Sequence, residues 1–320
     1  MIIIRLMGGL GNQMQQYALY RKFLSLGKES KLDDIWFRDS SNQATVLAPR
    51  KLELMYFRGL PMEFCTDGER RALVPEEGKG VLAKILACTL ARTRIRKSAV
   101  RDVKGMYEED IFDLDNAYLV GYFACNKYYA DILPELRKDF VFPENPDARA
   151  AARNRETMQR MEKENEDGHT LPVSIHFRRG DYLLAENSAL LGGICTPEYY
   201  RGAVQYLKTR FPGRTFHFYL FSDDPDYAET LTFGDESDTS TVVRWNEGES
   251  SLLDIELMSR CRANICANST FSFWGARLNP RDDAVRIRPL DHKNTQSASP
   301  EVMHSLWEGW VLADRQGNIV

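Results

Sequence analysis

Residues 176–182 read HFRRGDY and place two adjacent guanidinium groups, Arg178 and Arg179, beside His176 and Asp181. In the stretch before them Val173, Ile175 and Phe177 alternate with Ser174 and His176, which is the period of a strand. The charges therefore fall at a strand's end, with His176 and Arg178 to one side and Arg179 starting the turn. A planar guanidinium forks onto phosphate or carboxylate oxygens better than a lysine does, so the pair suits an anion. Two other readings stay open on these residues. Arg179, Gly180 and Asp181 spell the integrin-binding tripeptide, a three-letter match that chance supplies in a long chain. An ion pair between an arginine and Asp181 would be scaffolding.

Three more stretches could carry chemistry. SDDPD, residues 222–226, follows the strand FHFYLF. Asp224 and Asp226 could hold a divalent cation against a diphosphate. Alternatively, a carboxylate here, such as Asp223, or Asp254 further on, accepts hydrogen bonds from a nucleobase or ribose; a plain acidic turn is the third reading. The nucleoside reading is preferred because two arginines already bring the positive charge a cation would supply. NSTF, residues 268–271, follows the strand ANICA and opens a helix, so Ser269, Thr270 and the first-turn N–H groups would meet an anion, unless Ser269 is an ordinary cap. Together the arginine pair and this helix start form a diphosphate cradle. GGLGNQ, residues 8–13, is a glycine turn; its dinucleotide fingerprint breaks at Met14, where the third glycine should stand, and no phosphate loop of the GxxxxGK type occurs. It brings the backbone at Gly9 and the amides of Asn12 and Gln13 toward something polar such as a sugar, or it is a purely structural turn.

The elements that must position these groups can be read coarsely. Strands alternate with helices: IIIRLM, a glycine loop and a helix at the start, then VSIHF, TPEYYRGAVQYLKTRF, FHFYLF, TVVRW, SSLLDIELMSRC, ANICA, STFSFWGARL and VRIRPL. That order implies an α/β fold with parallel sheets, whose ligands bind beyond the carboxyl ends of the strands. The chain of 320 residues suffices for two domains. The polar run 147–168 reads as an exposed helix and linker, which sets domains at 1–165 and 166–320. Residues 36–116 are less regular.

Bulk properties exclude several classes. A net charge of −4 and a pI near 5.9 argue against general nucleic-acid binding. Cysteines at 65, 88, 125, 195, 261 and 266 lack CxxC spacing, so neither a zinc site nor a disulfide scaffold is expected. No run reaches the roughly 20 apolar residues of a membrane span, and MIIIRLMGG reads as a first strand rather than a signal peptide. A cytoplasmic protein is expected. Residues 80–98, apolar and then basic, could lie on a membrane surface as a peripheral contact, or form a surface helix whose basic end complements its dipole.

Taken together, GGLGNQMQQYA, HFRRGDY and LMSRCRANICANSTFSFWGARL, in this order across residues 8–278, closely resemble the α-1,2-fucosyltransferases of glycosyltransferase family 11. The resemblance implies a GT-B architecture of two Rossmann-like domains facing a central cleft. The second domain would bind GDP-fucose and the first would meet a galactose-terminated acceptor, lactose-like or of the O-antigen kind. It further implies that Arg178 and Arg179 hold the β-phosphate with His176 nearby, that Asn268, Ser269, Thr270 and Phe271 complete the nucleotide site, and that no metal or other cofactor is required. Two departures stand out. A usual Phe is here Gln15, and a usual His is here Ala263, which would retune the fit of the acceptor.

The base that accepts the acceptor's proton is open among His176, Asp181 and Glu186, with Asp181 ranked first. Rival readings are a metal-dependent glycosyltransferase using Asp224 and Asp226, another GDP-sugar transferase, and a non-catalytic nucleotide-sugar or carbohydrate-binding protein.

Overall fold

The computed structural model describes residues 1–39, 41, 50–74, 100–295 and 297–320. Residues 80–98 and the side chain of Glu186 lie outside the described set. The chain divides into two compact units: residues 1–55 with 59–139, and residues 56–58 with 140–320.

The first unit is built on a four-stranded sheet of β1 (Ile2–Arg5), β2 (Ser30–Asp33), β3 (Val100–Asp102) and β4 (Ala117–Val120), in the order β2-β1-β4-β3. Every pairing in it is parallel. The apolar run Ile2–Ile4 is fully buried, as a central parallel strand covered on both faces must be. Gly8, at φ +79°, turns the chain from β1 into the helix Leu10–Ser25.

The second unit carries a six-stranded sheet: β5 (Thr170–Phe177), β6 (Thr215–Ser222), β7 (Thr239–Val243), β8 (Ala263–Ile265), β9 (Val285–Pro289) and β10 (Val311–Ala313). The order is β10-β9-β8-β5-β6-β7, again all parallel. The chain starts in the middle at β5, winds outward to β7, then returns beside β5 as β8 and winds the other way. This doubly wound order creates a switch point between β5 and β8, where the exit loops part and a ligand can enter. The α/β expectation with parallel sheets is met in both units.

Alternation along β5 decides which layer each residue serves. Leu171, Val173, Ile175 and Phe177 pack with Tyr199, Ala203, Val204 and Leu207 of the helix Pro197–Arg210. On the other face, Tyr219 and Phe221 of β6 meet Met161, Leu257 and Met258, with Phe271 against the same cluster. Ser174 and His176 belong to this second face, where the Ser174 hydroxyl accepts from Asn264 at 2.7 Å.

The division between units falls after Asp139, earlier than the polar run 147–168 suggested. That run is the 20-residue helix Ala148–Asp167, capped by the Asp147 carboxylate at the N–H groups of Arg149 and Ala150 and stopped by left-handed Gly168. It is no linker. Met161 is fully buried, and Glu164 holds His217 at 2.7 Å and the Tyr219 hydroxyl at 3.0 Å. A narrow apolar seam among charges hides in composition, because one stripe suffices to dock a helix on a sheet. Met161→Ala should therefore lower unfolding free energy by about 2–5 kcal/mol in denaturant titration; a loss below about 1 kcal/mol would contradict the packing described.

Candidate functional site

The register of β5 on β6 builds the site. Phe177 stands opposite Ser222, so one step further Arg178 meets Asp223 and Arg179 meets Asp224. Arg178 is clamped by two carboxylates, Asp181 at 2.7 Å and Asp223 at 3.0 Å, with its guanidinium carbon 5.7 Å from the Tyr182 ring centre. Arg179 bonds Asp224 at 3.0 Å and lies flat over Tyr227 at 3.6 Å, while its backbone N–H donates to Asp223 at 2.9 Å. Both arginines keep 25–30% of their side-chain surface open to solvent. The ion-pair reading of Asp181 is thus realised, and with more partners than the sequence suggested. It does not exhaust the arginines, since a guanidinium has more N–H donors than these contacts use. Gly180 is required by closeness: a methyl group there would lie 2.5 Å from an Asp223 oxygen.

Across the switch point, the helix Thr270–Arg277 begins at Ser269, whose side chain makes no capping bond. The two loops are tied by the Tyr182 hydroxyl, which donates to the Asn268 carbonyl at 3.0 Å. Phe271 lies 5.7 Å from the His176 ring. His176 is only 5% exposed, and burial, then the Arg178 charge, pull its pKa down to about 3, so the ring is neutral at physiological pH. Its Nδ1 has no hydrogen-bond partner among the described residues. The unmatched nitrogen is thus buried within reach of the Arg178 charge.

The structure thus brings His176, Arg178, Arg179, Asp181, Asp223, Asn268, Ser269, Thr270 and Phe271 to adjoining strand ends. Asn268 differs from its expected role. Its amide is spent on the scaffold, donating to the carbonyls of Leu191 and His292 and accepting from Cys195, so it positions the loop rather than reaching outward. Asp224 and Asp226 do not act as a pair. Asp224 caps the N–H of Tyr227 and holds Arg179, whereas Asp226 holds Arg244. Among the described residues no cluster of three His, Cys, Asp or Glu could hold a metal ion, and no helix is long and apolar enough to cross a membrane.

Asp254 sits apart in a network that sequence reasoning missed. Asn246 donates to the Asp254 carboxyl at 2.9 Å and shares hydrogen bonds with Asn145 and Asn154, and Trp245 donates to Asn154. Asparagines scattered over a hundred residues give no local signal. Two further cations were also missed. Arg277 and Arg288 are buried to 1% exposure against the Trp307 ring, and both act on Cys266 at the end of β8, just behind the helix start.

In the first unit, Gly9 precedes the helix start and Asn12 is partly exposed, but Gln13 is fully buried. Its amide donates to the carbonyls of Gly8 and Lys51 and accepts from Glu53, so it braces the turn and has nothing left for a sugar. Gln15 and Ala263 are core positions, at 0% and 1% exposure. Neither touches a surface where it could retune an acceptor.

Loss of water around Asp254 pushes its pKa up to about 7, with the Asn246 bond opposing. Unfolded, it would titrate near pH 4. The folded state binds the extra proton between these values, so Asp254 makes stability fall as pH rises from about 4 to about 7. His176, held neutral, tilts stability the other way between about pH 3 and 6.5. The difference between Asp254→Asn and wild type isolates the first effect: urea midpoints measured from pH 4.5 to 8 should lose that falling limb in the variant, and parallel curves would rule it out.

The sequence pattern of the family described as Glycosyl transferase family 11 matches residues 1–312. The O-antigen biosynthesis glycosyltransferase WbnK of Escherichia coli is 30% identical over 296 residues, covering 89% of this chain and 92% of the relative. An alpha-1,2-colitosyltransferase of Escherichia coli is 29% identical over 296 residues, with 90% and 91% covered. Galactoside alpha-(1,2)-fucosyltransferase 1 of Aotus azarae is 24% identical over 219 residues, 65% of this chain and 57% of its own length. A match running from the glycine turn through both units, past the arginine clamp and the Ser269 helix, means that the chain belongs to glycosyl transferase family 11 and is a glycosyltransferase.

Proposed function

We propose that the protein transfers L-fucose from GDP-β-L-fucose, with inversion, to the 2-hydroxyl of a terminal β-galactoside. The observation that carries this reading is the Arg178 fork, held by Asp181 and Asp223 at the switch point opposite the Ser269 helix start. As the bond between the sugar and the diphosphate breaks, charge accumulates on the leaving oxygens. Donors already fixed there bind that charge more strongly in the transition state than in the ground state. The carboxylates align the guanidinium, and its remaining N–H groups face the diphosphate. Asp254, at the edge of its asparagine network, is suited to accept hydrogen bonds from the nucleobase.

Neither favoured candidate for the base fits that role well. Asp181 is committed to Arg178, and His176, pulled down to about 3, takes a proton reluctantly at neutral pH. A phosphate oxygen of the donor then receives the proton of the acceptor hydroxyl. The separate engagements of Asp224 and Asp226 support a reaction without a divalent cation.

One second reading has a specific observation behind it. The colitosyltransferase relative spans nearly the whole chain, so a colitosyl donor belongs beside GDP-fucose in the assay.

Incubation with GDP-fucose and lactose should yield 2′-fucosyllactose, undiminished by EDTA. Arg178→Ala should lose about 3 kcal/mol of transition-state stabilisation, roughly a hundredfold in rate. Arg178→Lys should recover little, because a point charge lacks the fork. Wild-type turnover in the alanine variant would remove Arg178 from the mechanism, and loss of product with EDTA would restore the metal-dependent reading.

A further inference from the structure

The first unit has its own convergence of polar and aromatic groups, at the carboxyl ends of β1 and β4, which pair side by side. Phe123, in the loop after β4, has φ +48° and is the only non-glycine residue in the left-handed region among the described residues. A bulky side chain holds that conformation only where its surroundings impose it. Here burial imposes it: Phe123 is 4% exposed, edge-on to Tyr128 at 5.8 Å, and its carbonyl accepts from the Tyr129 hydroxyl at 3.4 Å. With Phe123 anchored inward, the preceding Tyr122 stands outward at 43% exposure.

Gly8 shows what Tyr122 meets. A methyl group on Gly8 would lie 2.7 Å from the Asn12 amide nitrogen and 3.4 Å from the edge of the Tyr122 ring. Amide and ring thus converge over one glycine. A half-exposed ring with an amide beside it offers a pyranose a flat surface for its C–H face and a donor for its hydroxyls.

We propose that Tyr122 is the platform on which the terminal galactose of the acceptor stacks, with the Asn12 amide beside it donating a hydrogen bond to one of its hydroxyls. This rests on the fucosyl-transfer reading above and assigns its acceptor subsite. The ring face, not the phenol hydroxyl, supplies the contact.

Steady-state kinetics with lactose as acceptor test the assignment. Tyr122→Ala should raise the KM for lactose about tenfold or more, leave the KM for GDP-fucose within about twofold, and unfold near wild type because the residue is half-exposed. Tyr122→Phe should stay within about threefold of wild type. Saturation-transfer NMR of lactose without donor gives a readout independent of turnover, and its signal should collapse in Tyr122→Ala alone. A wild type that fucosylates lactose while Tyr122→Ala keeps its lactose KM and NMR signal overturns the platform and leaves the activity standing. A rise in donor KM in place of acceptor KM would also overturn it. A wild type that neither binds galactosides nor transfers to them overturns both.

Discussion

The arrangement depends on one guanidinium held between two carboxylates. Left free, Arg178 would carry roughly 2 kcal/mol of rotamer entropy into any complex; Asp181 and Asp223 remove that freedom in advance. The clamp has an electrostatic consequence. Arg178 and Arg179 face Asp181, Asp223 and Asp224, so the local cluster is not cationic by count. On the proposed reading, affinity for a doubly charged diphosphate would have to draw on more than these two side chains. On the same reading the start of the helix at Ser269, with the charges of the buried Arg277 and Arg288 near Cys266, would supply the remainder. Asp226 is bound elsewhere, to Arg244, and so leaves the balance at the clamp unchanged.

The clamp is itself a product of sheet geometry. Parallel strands run out in step, so β5 and β6, paired over their whole length, deliver RR and DD to the same edge without any loop having to search for the other. The switch point does the rest. Because β8 returns beside β5, the Asn268 turn arrives next to the Tyr182 turn, and one hydroxyl ties them. His176 is buried by the same alternation that sends Phe177 into the opposite layer. Its lowered pKa follows from where the pleat points, and its Nδ1 is left without a hydrogen-bond partner among the described residues.

The first unit repeats the principle with different chemistry. There the strand ends carry glycine, amide and aromatic groups, and the polar side chains of the following helix are divided between scaffold and surface. Gln13 and Gln16 are spent bracing the loops around them, Gln16 between the Met7 N–H and the Gly121 carbonyl. Asn12 remains partly exposed. Strain at Phe123 is tolerated because its ring is buried, and the outward turn of Tyr122 follows from that anchoring.

The sequence by itself determined the fold class, the strand ends at which charge and glycine collect, and the identity of the arginine pair, because alternation, capping and turn chemistry are local properties of the chain. It also carried enough of three separated motifs to indicate the family. Tertiary structure decided which of those residues are spent and which are available: Asn268 and Gln13 went to the scaffold, and Gln15 and Ala263 to the core. It also moved the boundary between units to Asp139, joined Asn145, Asn154 and Asn246 to Asp254, and set Tyr122 beside Asn12. These outcomes depend on strand register and on hydrogen-bond partners dozens to a hundred residues away, which packing selects and no local pattern encodes.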